Sequence, residues 1–353
     1  MGVGLGRSRW PRCVTRAFHP SNLGTSCRHS SFNIHMNRAH SHVLVSFLMA
    51  LAAGTCLAQQ PIRVRTHLVN VSFSARDVRG VLVEDLTKDD IEVFEDTVPQ
   101  TVSLFAKSVD VPLTLGLIVD YSDSQDKEVK QHEHDLEVFL KEILGPKDRA
   151  FLVCFGDHLR LVSDFSQSGN ELIDRLKDYN PSKHGKKAEK IPELGPPEDR
   201  SEGTAFYDSI YYSVEEKLAG ETEGRRALII FSDGEDNSSA HNMMTTIEAA
   251  QTADVLLFTI RYTEEHRGKL TSRNKYGISV MDRIALETGG ASYDAKMLDP
   301  HEYFKQIGEE LRTSYQIGYY STNATKDDSF RKIVIKPKQP GIKIRSKTGY
   351  YSR

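Results

Sequence analysis

The fold is decided by one stretch, Leu113-Thr114-Leu115-Gly116-Leu117-Ile118-Val119-Asp120-Tyr121-Ser122-Asp123-Ser124. Leu113 to Val119 has no charged residue and none of the polar alternation of a strand wetted on one face. It predicts a strand covered on both faces, the usual state in a parallel sheet. Ala227-Leu228-Ile229-Ile230-Phe231 is a second run of this kind, and Ala150 to Phe155, Leu159 to Val162 and Val255 to Ile260 predict further strands. Between them, Val129, Leu136, Phe139, Leu140 and Ile143 form the stripe of a helix that Gly145-Pro146 ends. Leu172, Ile173 and Leu176 mark another. Thr204 to Leu218, Met243 to Ala250, Met281 to Leu286 and Tyr303 to Leu311 mark four more. Such alternation over 110–313 predicts an α/β domain, a mostly parallel sheet with helices on both faces.

Outside that domain the pattern is short and extended. Before it, Val64 to Ser72, Val81-Leu82-Val83, Ile91 to Phe94 and Thr101 to Phe105 predict strands, with a helical knot at Thr87 to Asp90. After it come Tyr315 to Tyr320, Phe330 to Ile335 and Ile342 to Ile344, separated by turns at Asp327-Asp328 and Pro340-Gly341. Neither fragment is large enough to be stable alone. The two flanks, 59–109 and 314–353, are therefore expected to pack into one small sandwich-like β module that carries the α/β domain as an insertion. Pro181 to Glu202, rich in Lys, Glu, Pro and Gly, predicts a mobile loop.

Residues 1–58 are made differently. They hold six of the 46 basic residues and none of the 49 acidic ones, so the remainder carries a net charge of −9. Val43 to Ala53 is an apolar run of signal-peptide length, too short to span a bilayer of about 30 Å. Met36-Asn37-Arg38 precedes it and Cys56-Leu57-Ala58 offers small residues for cleavage. The reading is a leader translated from Met36 and cleaved after Ala58, giving an exported protein, periplasmic or extracellular. Lipid anchoring at Cys56 is a weaker option. Cleavage leaves Cys154 as the remaining cysteine, so no intrachain disulfide forms, and its strand context predicts a buried, inert thiol. A hydrophobic content of 39% excludes disorder as the main character, and the acidic balance gives no support to nucleic-acid binding.

In a doubly wound sheet, ligands bind outside the carboxyl ends of the strands. Asp120-Tyr121-Ser122-Asp123-Ser124 and Ser232-Asp233-Gly234-Glu235-Asp236 both follow central strands, and Gly203-Thr204-Ala205 opens a helix. All three supply hard oxygen donors, which suit Mg²⁺ or Mn²⁺. A turn that points alternate side chains inward brings Asp120, Ser122 and Ser124 together. Hydroxyl ligands leave such an ion under-neutralised, with capacity for an Asp or Glu carboxylate from a partner protein or peptide.

Asp120-x-Ser122-x-Ser124, Thr204 within GTAFYDS and Asp233 within FSDGED resemble, in order and strand context, the metal-ion-dependent adhesion site of von Willebrand factor type A domains. The flanks DLTKDDIEVFEDTVPQ, YQIGYYSTN and FRKIVIKPKQPGIKIRSKTGYY are similar to those of a bacterial family of exported proteins that carry this domain. The resemblance implies a Rossmann-like fold, direct ligation by Ser122, Ser124 and Thr204, and Asp120 and Asp233 acting largely through waters. It implies a binding and adhesion module with no named partner, and no enzymatic activity is expected.

Simpler readings stand beside this one. Asp120 and Ser122 fit helix capping, and Asp233-Gly234 fits a turn. Glu235 and Asp236 read as solvated neighbours, and His132-Glu133-His134-Asp135 as solvated helix surface, since its spacing is not His-Glu-x-x-His. Tyr319-Tyr320 and Tyr350-Tyr351 read as strand packing. Two other functions remain open: a structural component of an envelope complex with a degenerate metal site, and Mg²⁺-dependent hydrolysis of phosphate esters. Enzymes of other kinds find no support, because no nucleophile elbow, dinucleotide loop, Walker A loop or zinc motif is present.

Overall fold

A computed structural model describes residues 68–125, 127–156, 158–179, 191–196, 203–263 and 269–353. The leader reading for 1–58 lies outside these residues, as does most of the predicted loop at 181–202. In chain order the first flank forms β1 (Leu68–Arg76), β2 (Ile91–Glu95), β3 (Val98–Gln100) and β4 (Val102–Val109). The α/β part follows with β5 (Leu113–Asp120), α1 (Val129–Ile143), β6 (Arg149–Phe155), β7 (Arg160–Ser166), α2 (Gly169–Asp178) and α3 (Phe206–Tyr212), which continues as a π-helical segment to Leu218. It is completed by β8 (Arg225–Ser232), α4 (Met243–Thr252), β9 (Val255–Arg261), α5 (Ser272–Thr288), β10 (Ser292–Asp294) and α6 (Pro300–Arg312). The second flank gives β11 (Thr313–Tyr320), β12 (Phe330–Pro337), β13 (Lys343–Ser346) and β14 (Gly349–Tyr351).

Every residue of β5 is buried, as its composition requires. Hydrogen-bonded in parallel to β6 on one side and β8 on the other, it is the centre of a six-stranded sheet of order β10-β9-β8-β5-β6-β7. Counted along the chain from β5, that order is 3-2-1-4-5-6 read from β7, the doubly wound Rossmann-like arrangement, and its direction reverses between β5 and β8. Only β7 runs antiparallel. Four residues, 156–159, separate it from β6, far too few for a parallel crossover.

Alternate side chains of β5 feed two cores. Leu115, Leu117 and Val119 pack with Leu136 and Phe139 of α1, Leu172 of α2 and Phe304 and Ile307 of α6. Ile118 lies on the opposite face with Phe206 and Ile210 of α3, Ile247 of α4 and Met281 and Ile284 of α5. Gly116 faces this second side, where a Cβ would lie 2.3 Å from Leu228 Cδ2 and 2.4 Å from Phe151 Cζ.

The flanks build two four-stranded antiparallel sheets, β13-β1-β11-β4 and β14-β12-β2-β3, each mixing strands from both ends of the chain. Val71, Phe73, Ile91, Val93, Tyr315, Ile317, Ile333 and Ile335 fill the space between them. Thr313 pairs with Val109, so the chain leaves and re-enters this module at adjacent positions, as an inserted domain needs. The two parts are joined through Glu310 of α6, which is buried and accepts from Arg76 Nε at 2.8 Å and Arg345 Nη1 at 2.7 Å.

Several local expectations change. Helix α5 begins at Ser272, because Thr271 and Asn274 cap each other's backbone. His132 and Asp135 are buried, not solvated: they fall on the same stripe as Leu136 and Phe139. Asp135 accepts from Tyr262 Oη (2.5 Å), Gln131 Nε2 (2.7 Å) and Tyr303 Oη (3.2 Å), while burial pushes His132 down to about 3 and keeps it neutral. Glu235 is also buried and pairs with Arg273 at 2.6 Å. Within the predicted loop, 191–196 packs: Leu194 is buried and its N–H donates to Leu159 O at 3.0 Å. Cys154 is free and buried. No helix among the described residues is long and apolar enough to cross a membrane.

Gly116→Val is expected to lower stability by about 1–3 kcal/mol through overpacking. Urea unfolding of the two proteins measures the difference, and an unchanged midpoint would mean that β5 is not packed this tightly.

Candidate metal centre

The reversal of strand order opens a crevice between the carboxyl ends of β5 and β8, and Asp120 and Ser232-Asp233 arrive there as their continuations. The chain after β5 makes an Asx turn: the Ser122 N–H donates to Asp120 Oδ1 at 2.9 Å, and the Ser122 hydroxyl donates to the same oxygen at 2.5 Å. A short 3₁₀ turn over Asp123–Gln125 then brings Ser124 round, so that its hydroxyl lies 3.1 Å from that of Ser122 and donates to Asp233 Oδ2 at 3.0 Å. Asp120, Ser122, Ser124 and Asp233 thus lie in one row across the crevice, each hydroxyl giving its single hydrogen to a carboxylate and the two hydroxyl oxygens facing each other. The capping reading of Asp120 and Ser122 does not survive, since α1 starts at Val129 with no side-chain cap.

Thr204 reaches the same loop by another route. Its N–H donates to Asn237 Oδ1 at 2.6 Å, and its carbonyl accepts from Asn237 N at 3.1 Å and Ser238 N at 3.2 Å. These bonds strap the start of α3 onto the segment that follows Asp233. Among the described residues, no hydrogen bond joins the Thr204 hydroxyl to the other four.

Three contributors were not singled out in the sequence. Ser232 donates to Asp120 Oδ2 at 2.5 Å, Gln125 Nε2 donates to Asp233 Oδ2 at 2.9 Å, and Asn237 holds Thr204. Each is next to, or a few residues from, a candidate ligand; a search for side chains able to orient the ligands would have found them. The loop after β8 is pinned by Gly234, whose φ of +78° favours glycine, with Gly277 O only 2.6 Å from where a Cβ would stand. Asp233 Oδ1 accepts the Glu235 N–H at 3.0 Å, so the turn reading of Asp233-Gly234 holds together with its place in the row. Asp236 is structural as well, accepting from Tyr207 N at 3.2 Å.

The electrostatics of the site are those of two neighbouring carboxylates. Burial, and then the Asp233 carboxylate, push Asp120 up to about 7 from an ordinary 3.8, against the lowering effect of its hydroxyl and amide donors. Among the described residues, neither Asp120 nor Asp233 makes an ion pair with Lys, Arg or His. The donor chemistry fits a small hard cation: two carboxylates, and two hydroxyls that keep acceptor lone pairs after donating their hydrogens. Clusters of three or more His, Cys, Asp or Glu are absent among the described residues.

No family model and no curated protein matches the chain. Among solved structures, an aerotolerance-related membrane protein from Bacteroides fragilis aligns at 14% identity and a TM-score of 0.42, over 56% of this chain and 98% of that one. The conserved hypothetical protein BatB from Bacteroides thetaiotaomicron aligns at 16% and 0.40, over 56% and 97%. Proximal thread matrix protein 1 from the mussel byssus aligns at 12% and 0.43, over 62% and 51%. At these scores the likenesses add nothing to the fold read from strand order, and they do not bear on function.

A folded-state carboxyl raised above its unfolded value favours the protonated form, so its contribution to stability is present below pH ~4 and is lost as pH rises through about 7. In EDTA the protein is therefore expected to melt at a lower temperature at pH 8 than at pH 5, with Asp120→Asn flattening that difference. Thermal melts across this range check it, and equal slopes for the two proteins would refute the assignment.

Proposed function

We propose that this chain is an exported binding module, not an enzyme, which uses a divalent cation, Mg²⁺ or Mn²⁺, to recognise an acidic group of a partner protein or peptide. The observation that carries the reading is the row Asp120–Ser122–Ser124–Asp233 at the strand-order switch, two carboxylates each bound by a hydroxyl and, among the described residues, paired with no basic side chain. Ser122, Ser124 and Thr204 would ligate the ion directly. Asp120 and Asp233 would act largely through waters, as the resemblance to the metal-ion-dependent adhesion site implies. Bound there, the cation would supply a Lewis-acidic position open to an outside carboxylate.

The remaining work belongs to the chain. Asp120 takes the Ser122 hydrogen and so turns that oxygen's lone pairs toward the crevice. Ser232 fixes the other Asp120 oxygen, Gln125 fixes Asp233, and Asn237 fixes the segment bearing Thr204. Preorganisation of this kind lets a site of low charge bind without rearranging, and rigid β5 and β8 position its two halves. The leader reading supports placement outside the cytoplasm, with association to the envelope a natural extension.

Addition of Mg²⁺ to the metal-free protein is expected to raise stability, by about 2.7 kcal/mol at a hundred times the dissociation constant. Asp233→Ala and Ser124→Ala should remove most of that gain while leaving the circular dichroism spectrum unchanged. Capture of a partner from an envelope extract should fail in EDTA and return with Mg²⁺. Capture indifferent to EDTA, by a protein that takes up no ion, would favour the structural role. Turnover of a phosphate ester, abolished by Ser122→Ala, would favour the hydrolase.

A further inference from the structure

At the edge of the six-stranded sheet opposite the crevice, the amino ends of β8 and β9 face the β13-β1-β11-β4 sheet across a cavity of about 270 Å³. Its walls carry Arg225, Arg226 and Lys347 against one carboxylate, Asp254. That carboxylate is already engaged by Lys347 at 3.2 Å. Neither Arg225 nor Arg226 has an ion-pair partner among the described residues. Glu221, close in sequence, gives its carboxylate to Arg149, and only its carbonyl goes to Arg226, at 2.6 Å. Arg225 reaches across to the buried Ser314 of β11, and that one hydrogen bond leaves most of its five N–H donors unused.

The sandwich side adds neutral polar groups. Ser72 of β1, Ser108 of β4 and Gln316 of β11 line the same space, and none of their side chains hydrogen-bonds another described residue. Buried or half-buried charges in folded proteins are normally paired, and a guanidinium fork matches the oxygens of a tetrahedral anion. Burial lowers Arg225 from its ordinary value, with the Asp254 carboxylate opposing, which is how a cation short of counter-charge behaves. The volume lies just under the range of about 300–1,000 Å³ that small-molecule sites occupy, so it suits an ion or a small ester and not a large cofactor.

We infer that this cavity is a binding site for a tetrahedral oxyanion, phosphate or sulfate in chemical class, held by the Arg225 guanidinium with Arg226 and Lys347 supplying charge and Ser72, Ser108 and Gln316 supplying hydrogen bonds. The bound anion touches both parts of the fold, so it fastens the α/β domain to the sandwich at the end remote from Asp120 and Asp233. The inference is independent of the metal reading.

Calorimetric titration of the full chain with inorganic phosphate, with sulfate and with methyl phosphate, in EDTA and at constant ionic strength balanced by chloride, tests it. The expected result is saturable binding to a single site, weakened at least ten-fold in Arg225→Gln and several-fold in Lys347→Ala. Methyl phosphate binding as tightly as phosphate would assign the site to a phosphorylated compound, and much weaker binding would assign it to the free ion; either result sustains the oxyanion site. Absence of saturable binding to the wild-type protein, or affinity unchanged in Arg225→Gln, would overturn it. Anomalous scattering from a crystal soaked in selenate gives a reading that needs no variant to fold: selenium against Arg225 supports the site, and selenium found only elsewhere refutes it.

Discussion

Asp120 occupies the last position of a strand in which every residue is buried, and Ser232 occupies the last position of the strand beside it. Parallel pairing of β5 with β8 sets these two ends side by side, and helices on both faces prevent either strand from shifting register, since a slip by one residue would exchange the two cores. Where the order of strands reverses, the connections leave in opposite directions and the space between the ends stays open. The candidate centre is thus a consequence of how β5 is packed: the same apolar run that stabilises the sheet delivers a carboxylate to its edge.

Placing two carboxylates there has an electrostatic cost. Asp120 is fully buried and close enough to Asp233 to be raised well above an ordinary aspartate, although three hydrogen bonds from Ser122 and Ser232 favour its charged form. Hydroxyls moderate the repulsion without removing it. A cation site of the proposed kind would have to carry such an imbalance, because a basic side chain that relieved it would also occupy the position. Asp135 makes the contrast within the same molecule: also buried, it is satisfied by two tyrosine hydroxyls and an amide, and it belongs to the core.

The sandwich solves a different problem. Four short strands from each flank cannot stand alone, and interleaving them around the chain's own insertion gives each sheet strands from both ends. Because Thr313 lies opposite Val109, insertion of the α/β domain does not strain the sheet. Glu310 between Arg76 and Arg345 then gives the joint a buried polar contact in addition to apolar packing.

Periodicity alone determined a good deal: continuous runs at Leu113 and Ala227 imply buried parallel strands, helical stripes between them imply crossovers, and two sets of short strands too small to stand alone imply a shared β module. Those inferences are local, resting on side-chain period and on the short reach of the chain between turns. The candidate ligands, too, were legible as hard-oxygen residues following strands. What tertiary structure decided was everything that depends on distant segments meeting. The burial of His132, Asp135 and Glu235 is one such case, since a polar residue's partners, here Tyr262, Tyr303 and Arg273, are remote in sequence. The orienting roles of Ser232, Gln125 and Asn237 are another, and so is the unbalanced charge of Arg225 against the sandwich. Sequence records which groups a chain possesses, whereas the cost of burying them is set by neighbours that only folding supplies.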